Sequence, residues 1–83
     1  MIQLKQNFLS TLSPGEVGRV QALHTKGSMR RRLLDLGLIP GTRIVCIGQS
    51  PAGDPTAYYI RGAVIALRSS DAATIELQSE TGR

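Results

Sequence analysis

S-M-R-R-R-L-L-D-L-G-L-I-P-G-T, Ser28 to Thr42, holds a helix start, a short amphipathic helix, a helix stop and a turn into a strand. Ser28 is the expected N-cap, because its hydroxyl can accept from the free amides of the first turn. Met29, Leu33 and Leu36 follow at i, i+4 and i+7 and share one face, which Leu34 widens. Arg31 and Asp35 lie on the other side at pairing distance. Gly37 stands where a left-handed residue ends a helix, with Leu38 positioned to fold back onto Leu33. Pro40-Gly41 supplies the central residues of a type II turn, so the chain leaves the helix and enters a strand almost at once.

Outward from that stretch, the chain reads as short strands and turns. Val17 to His24 is a strand, with Gly18 as an expected bulge. Thr42 to Gln49 is a second strand with Ile44 and Cys46 on one side, and Val45 and Ile47 on the other. A strand apolar on both faces is usually covered on both, and the helix is the expected second cover. Arg61-Gly62 is a two-residue hairpin turn, which places Ile60 opposite Ala63, Tyr58 opposite Ile65 and Thr56 opposite Leu67 on one core face. The reverse face carries Ala57, Tyr59, Val64 and Ala66. That face is apolar for a solvated surface, and the expectation is an oligomer contact, a homodimer burying these four residues. Arg68 to Asp71 is one turn, and Ala73, Ile75 and Leu77 alternate in a last strand.

Several of these residues carry a family resemblance. R-R-R-L-L-D-L-G-L-I-P-G-T resembles the hallmark of the FeoA family, ferrous iron transport protein A. P-x-G-D-P (Pro51, Gly53, Asp54, Pro55), I-R-G (Ile60 to Gly62) and A-L-R (Ala66 to Arg68) follow in the family's order, over Leu12 to Leu77. The resemblance implies a mostly β fold with one short helix, a small SH3-like β-barrel. It implies a cytosolic accessory of a membrane Fe(II) transporter of the FeoB type, which carries a GTP-binding domain. The same barrel forms a domain of some iron-dependent repressors. The apolar reverse face departs from the family, whose matching positions more often carry charge. The organisation expected is an N-terminal segment at 1–10, the barrel domain at 11–78 and a polar tail at 79–83.

Composition bounds the function. Eighty-three residues make one domain, and a chain of this size buries only about 60% of its unfolded surface. The lone Cys46 excludes an intrachain disulfide. No apolar run approaches the roughly 20 residues of a membrane span. Met1 to Ser10 lack the pattern of a signal peptide, so a cytoplasmic protein is expected. Residues 1–68 hold nine bases against three acids, and 69–83 hold one base against three acids. The basic body favours an anionic partner.

Catalysis finds no support, because the one His and the one Cys are far apart and Cys46 reads as a buried structural thiol. His24 reads as a surface residue. No cofactor is evident; weak divalent metal binding stays open, since no convergent ligand set is readable among His24, Glu16, Asp54 and Asp71. No phosphate loop is present. Arg30, Arg31 and Arg32 spread over about 200° of the helix, at roughly 100° per residue. Arginine is enriched at interfaces, so the expected partner-binding residues are Arg30, Arg31, Leu34, Leu38 and Ile39, docking on the transporter's cytosolic part. The alternatives are a nucleic-acid-binding barrel, disfavoured by few aromatics and no base-stacking motif, and a stand-alone relative of the repressor domain.

Overall fold

The computed structural model describes residues 7–79; the ends of the expected N-terminal segment and polar tail, 1–6 and 80–83, lie outside them. In chain order the elements are β1 (Asn7–Phe8), a 3-10 turn (Leu9–Thr11), β2 (Val17–Leu23), α1 (Gly27–Asp35), β3 (Arg43–Gln49), β4 (Thr56–Ile60), β5 (Ala63–Leu67), α2 (Ser69–Ala72) and β6 (Ile75–Leu77). The strands form one antiparallel sheet in the order β1-β6-β2-β3-β4-β5. The fold is SH3-like and mostly β, as expected, but the barrel is not closed. β1 and β5 are the two edges and do not pair. β1 is only two residues long, and after Leu67 the chain turns into α2 instead of continuing along the sheet.

The β4–β5 hairpin has the register read from the sequence, Ile60 to Ala63, Tyr58 to Ile65 and Thr56 to Leu67. Arg61 at φ 50° and Gly62 at φ 85° place both turn residues in the left-handed region that matches strand twist. Thr56, Tyr58, Ile60 and Leu67 are buried, while Ala63 at the tip is exposed. The core joins Leu9, Val20, Leu33, Leu38, Ile44 and Ile75, with Met29 and Leu36 packed against it. Leu9 falls in the segment read as N-terminal, yet it is fully buried.

Three local expectations are corrected. The helix starts at Gly27, after extended Lys26, and no side chain caps it, so Ser28 lies inside the first turn. Gly18 is not a bulge. It pairs in register with Ile44, and a Cβ there would stand 2.7 Å from Leu77 Cδ1, so glycine leaves room for the Leu77 side chain. The β2 irregularity falls between Val20 and Ala22, and β3 has another between Cys46 and Gly48. Finally, α1 does not cover the second face of β3. Ile47 is 48% exposed and Val45 only half-buried, because Leu33, Met29 and Leu36 direct the helix toward the interior.

Candidate partner-binding surface

The stop after α1 is a complete Schellman arrangement. Gly37 N–H donates to Leu34 O at 2.9 Å and Leu38 N–H to Leu33 O at 3.1 Å, with Gly37 at φ 94°. The Pro40-Gly41 turn closes by Thr42 N–H donating to Ile39 O at 3.0 Å, and Gly41 again has φ 94°. Gly41 N–H reaches Val20 O at 2.8 Å, and Val20 N–H reaches Thr42 O at 3.0 Å, so β2 holds the end of the turn.

Thr42, which the sequence reading passed over, locks the loop from inside. Its buried hydroxyl donates to Gly37 O at 2.8 Å and lies 3.3 Å from the amide of Ile39. A threonine opening a strand gives no such signal until the turn is built. The aliphatic part of Arg61 lies against Gly37, where a Cβ would collide with it. The hairpin tip and the helix stop therefore support each other.

The expected contact residues separate on this frame. Arg31 is exposed, Leu34 is 41% exposed and Ile39 is 52% exposed. Leu34 does not widen the core face; it points away from it. Arg30 donates from Nη1 to Leu23 O at 2.7 Å, tying α1 to the end of β2. Leu38 is corrected: it is fully buried and belongs to the core, because the Schellman turn folds it inward. The expected Arg31–Asp35 pair is not formed; among the described residues the ion-pair geometry is His24 Nε2 to Glu76 Oε1 at 2.8 Å. Ala57, Tyr59, Val64 and Ala66 share one face in the pairs Ala57–Ala66 and Tyr59–Val64. Tyr59 is 44% and Val64 65% exposed.

Among the described residues, no three of His, Cys, Asp and Glu converge as metal ligands. His24 is engaged with Glu76 and tilts against Phe8. Burial, with Glu16 adding to it, raises the Cys46 thiol above its ordinary value, so it is held neutral. Asp54 of the P-x-G-D-P segment accepts from Ser69 N–H at 2.8 Å, which fastens that loop to the start of α2. The motif residue serves the fold. Between the turn and the hairpin lies an open groove of ≈ 370 Å³ lined by Gly41, Thr42, Arg43, Tyr59, Arg61 and Gly62.

A family model for the FeoA domain matches residues 8–79. A fusion protein of Fe(2+) transport protein A and Fe(2+) transporter FeoB from Porphyromonas gingivalis is 33% identical over 70 residues, 84% of this chain; those residues span 8% of the fusion protein. The solution structure of FeoA from Chlorobium tepidum superposes with a TM-score of 0.83 at 30% identity, covering 93% of this chain and 73% of that one. A manganese-dependent transcriptional repressor shares the fold, with a TM-score of 0.78 at 19% identity over 95% of this chain and 44% of its own. A family match over nearly all the described residues, on an SH3-like sheet with a glycine-stopped helix, makes this chain a member of the FeoA family.

Proposed function

We propose that this chain is a non-enzymatic accessory of ferrous iron transport, docking on the cytosolic part of an FeoB-type transporter. The observation that carries the reading is the Porphyromonas gingivalis fusion, where the homologous domain and the transporter share one polypeptide. Domains fused in one protein act at high effective concentration, and a shared polypeptide of this kind points to the two domains working together. The α1 surface suits that role. It sets Arg31 and Leu34 outward on the helix and Ile39 outward on a stop and turn closed by backbone and threonine hydrogen bonds, and a backbone already fixed in place has less ordering left to lose on binding. Arg30 contributes by holding the helix in place.

The test is co-purification of the full chain with the transporter's cytosolic domain. Arg31→Ala combined with Leu34→Glu should weaken association at least tenfold while leaving circular dichroism and the melting temperature unchanged. Wild-type affinity in that double variant would exclude this face.

A further inference from the structure

The strand register arranges the outer face of the sheet into two adjacent rows. Val17 pairs with Val45, Val45 with Tyr59, and Tyr59 with Val64, which gives one apolar row across β2, β3, β4 and β5. Val17, Tyr59 and Val64 are 46%, 44% and 65% exposed. The neighbouring row is basic. Arg19 lies directly opposite Arg43, and the Ile44–Ile60 register, continued by one residue, sets Arg61 across from Arg43. Like charges directly opposite are unfavourable in a sheet. None of these three arginines has a carboxylate partner among the described residues. Arg19 donates from Nη1 to Gly41 O at 3.0 Å, which holds its side chain beside the groove that Arg43 and Arg61 line.

We propose that this face is a second docking surface, separate from α1, for a short amphipathic helix of another protein with glutamates or aspartates along one flank. Its apolar stripe would lie on the valine–tyrosine row and its carboxylates on the arginine row. The two rows are two residues apart along each strand, about 7 Å, within reach of one helix face and its flank. Three strand spacings make the apolar row about 14 Å long, which about nine helical residues match at 1.5 Å each.

The charge decides between this occupant and a second copy. β2, β3, β4 and β5 contain no Asp or Glu. A second copy meeting this face with its own would bring more arginine and no carboxylate. The nearby acids are already engaged, Glu16 with Ser13 N–H and Asp54 with Ser69 N–H.

The test titrates isotope-labelled full chain with a synthetic amphipathic helix bearing a leucine stripe flanked by glutamates. A control peptide has lysines in their place. Saturable shifts at Val17, Arg19, Arg43, Tyr59 and Val64 with the glutamate peptide alone are expected. Raising salt from 50 to 500 mM should weaken binding severalfold, and Arg43→Glu with Arg61→Glu at least tenfold. Tyr59→Ser, which removes no charge, should weaken it too, with the melting curve confirming a folded variant. Equal binding of the lysine peptide, the absence of saturable shifts, or shifts confined to α1 would overturn the proposal. So would sedimentation showing a dimer through this face.

Discussion

Two glycines with the same backbone angle make a discriminating pair at the scale of single residues. Gly37 and Gly41 both have φ 94°, but a Cβ at Gly37 would meet Arg61, while a Cβ at Gly41 would meet nothing within 4 Å. Gly41→Ala should cost only the left-handed penalty, about 1–2 kcal/mol. Gly37→Ala should cost more, because Arg61 must also leave the helix stop. In a domain this small each kcal/mol lowers the melting temperature by roughly 4–8 °C, so thermal unfolding resolves the two. Thr42→Val should lose about 1–3 kcal/mol by leaving the Gly37 carbonyl and Ile39 amide less satisfied. Cys46 and Tyr58 make an alkaline prediction. Burial, the leading cause for both, raises each group above its ordinary value. The folded state then keeps its protons where the unfolded chain begins to release them. Stability is fully present below the ordinary values, about 8.5 for thiol and 10 for phenol, and declines as pH rises through them. Denaturant unfolding at pH 7 and pH 10.5 should show the fall, and Cys46→Val should remove its lower-pH part.

Among the elements, those whose geometry is fixed by adjacent residues were legible in the sequence. Gly37 stopping the helix, Pro40-Gly41 turning the chain and Arg61-Gly62 setting the hairpin register all depend on local backbone preference, and all three are formed. Some of what failed depended on a distant partner, and some on where a local turn or helix start places a side chain. Gly18 reads as a bulge until the Leu77 side chain of β6 fills the space beside it. Leu38 reads both as folding back onto Leu33 and as a contact residue, and the Schellman turn buries it in the first role; Ser28 reads as a cap until the chain enters the helix two residues earlier. The arginine row was hidden for the first of these reasons. Arg19, Arg43 and Arg61 are far apart in sequence, and only the pairing of three strands sets them side by side. The edge strand β5, Ala-Val-Ile-Ala-Leu, has no charge or proline and leaves one side unpaired. Such edges invite pairing with other chains. Val64→Lys, at a 65% exposed position, should reduce concentration-dependent scattering at high protein concentration while changing stability by less than about 0.5 kcal/mol.

For the whole molecule, the distribution of charge matters more than its sum of +4. The carboxylates of Glu16, Asp54 and Glu76 are spent on Ser13, Ser69 and His24, whereas Arg31, Arg43 and Arg61 are exposed without acidic partners among the described residues. Those arginines lie on two surfaces, the α1 face and the outer face of the sheet. If each takes its own partner, charge reversal should act locally. Arg31→Glu should weaken binding to the transporter's cytosolic domain and leave the affinity for the acidic helix within about twofold, since distant sites with no shared contacts behave additively. Arg43→Glu should do the reverse. Both variants should slow association more than they hasten dissociation, because rim charges act chiefly on encounter, and the difference from wild type should shrink as salt shortens the Debye length from about 10 Å at 0.1 M to 3 Å at 1 M. Stopped-flow association rates across that salt range measure this. If either variant lost both interactions equally, the two faces would form one continuous site wrapped around the Arg61 hairpin.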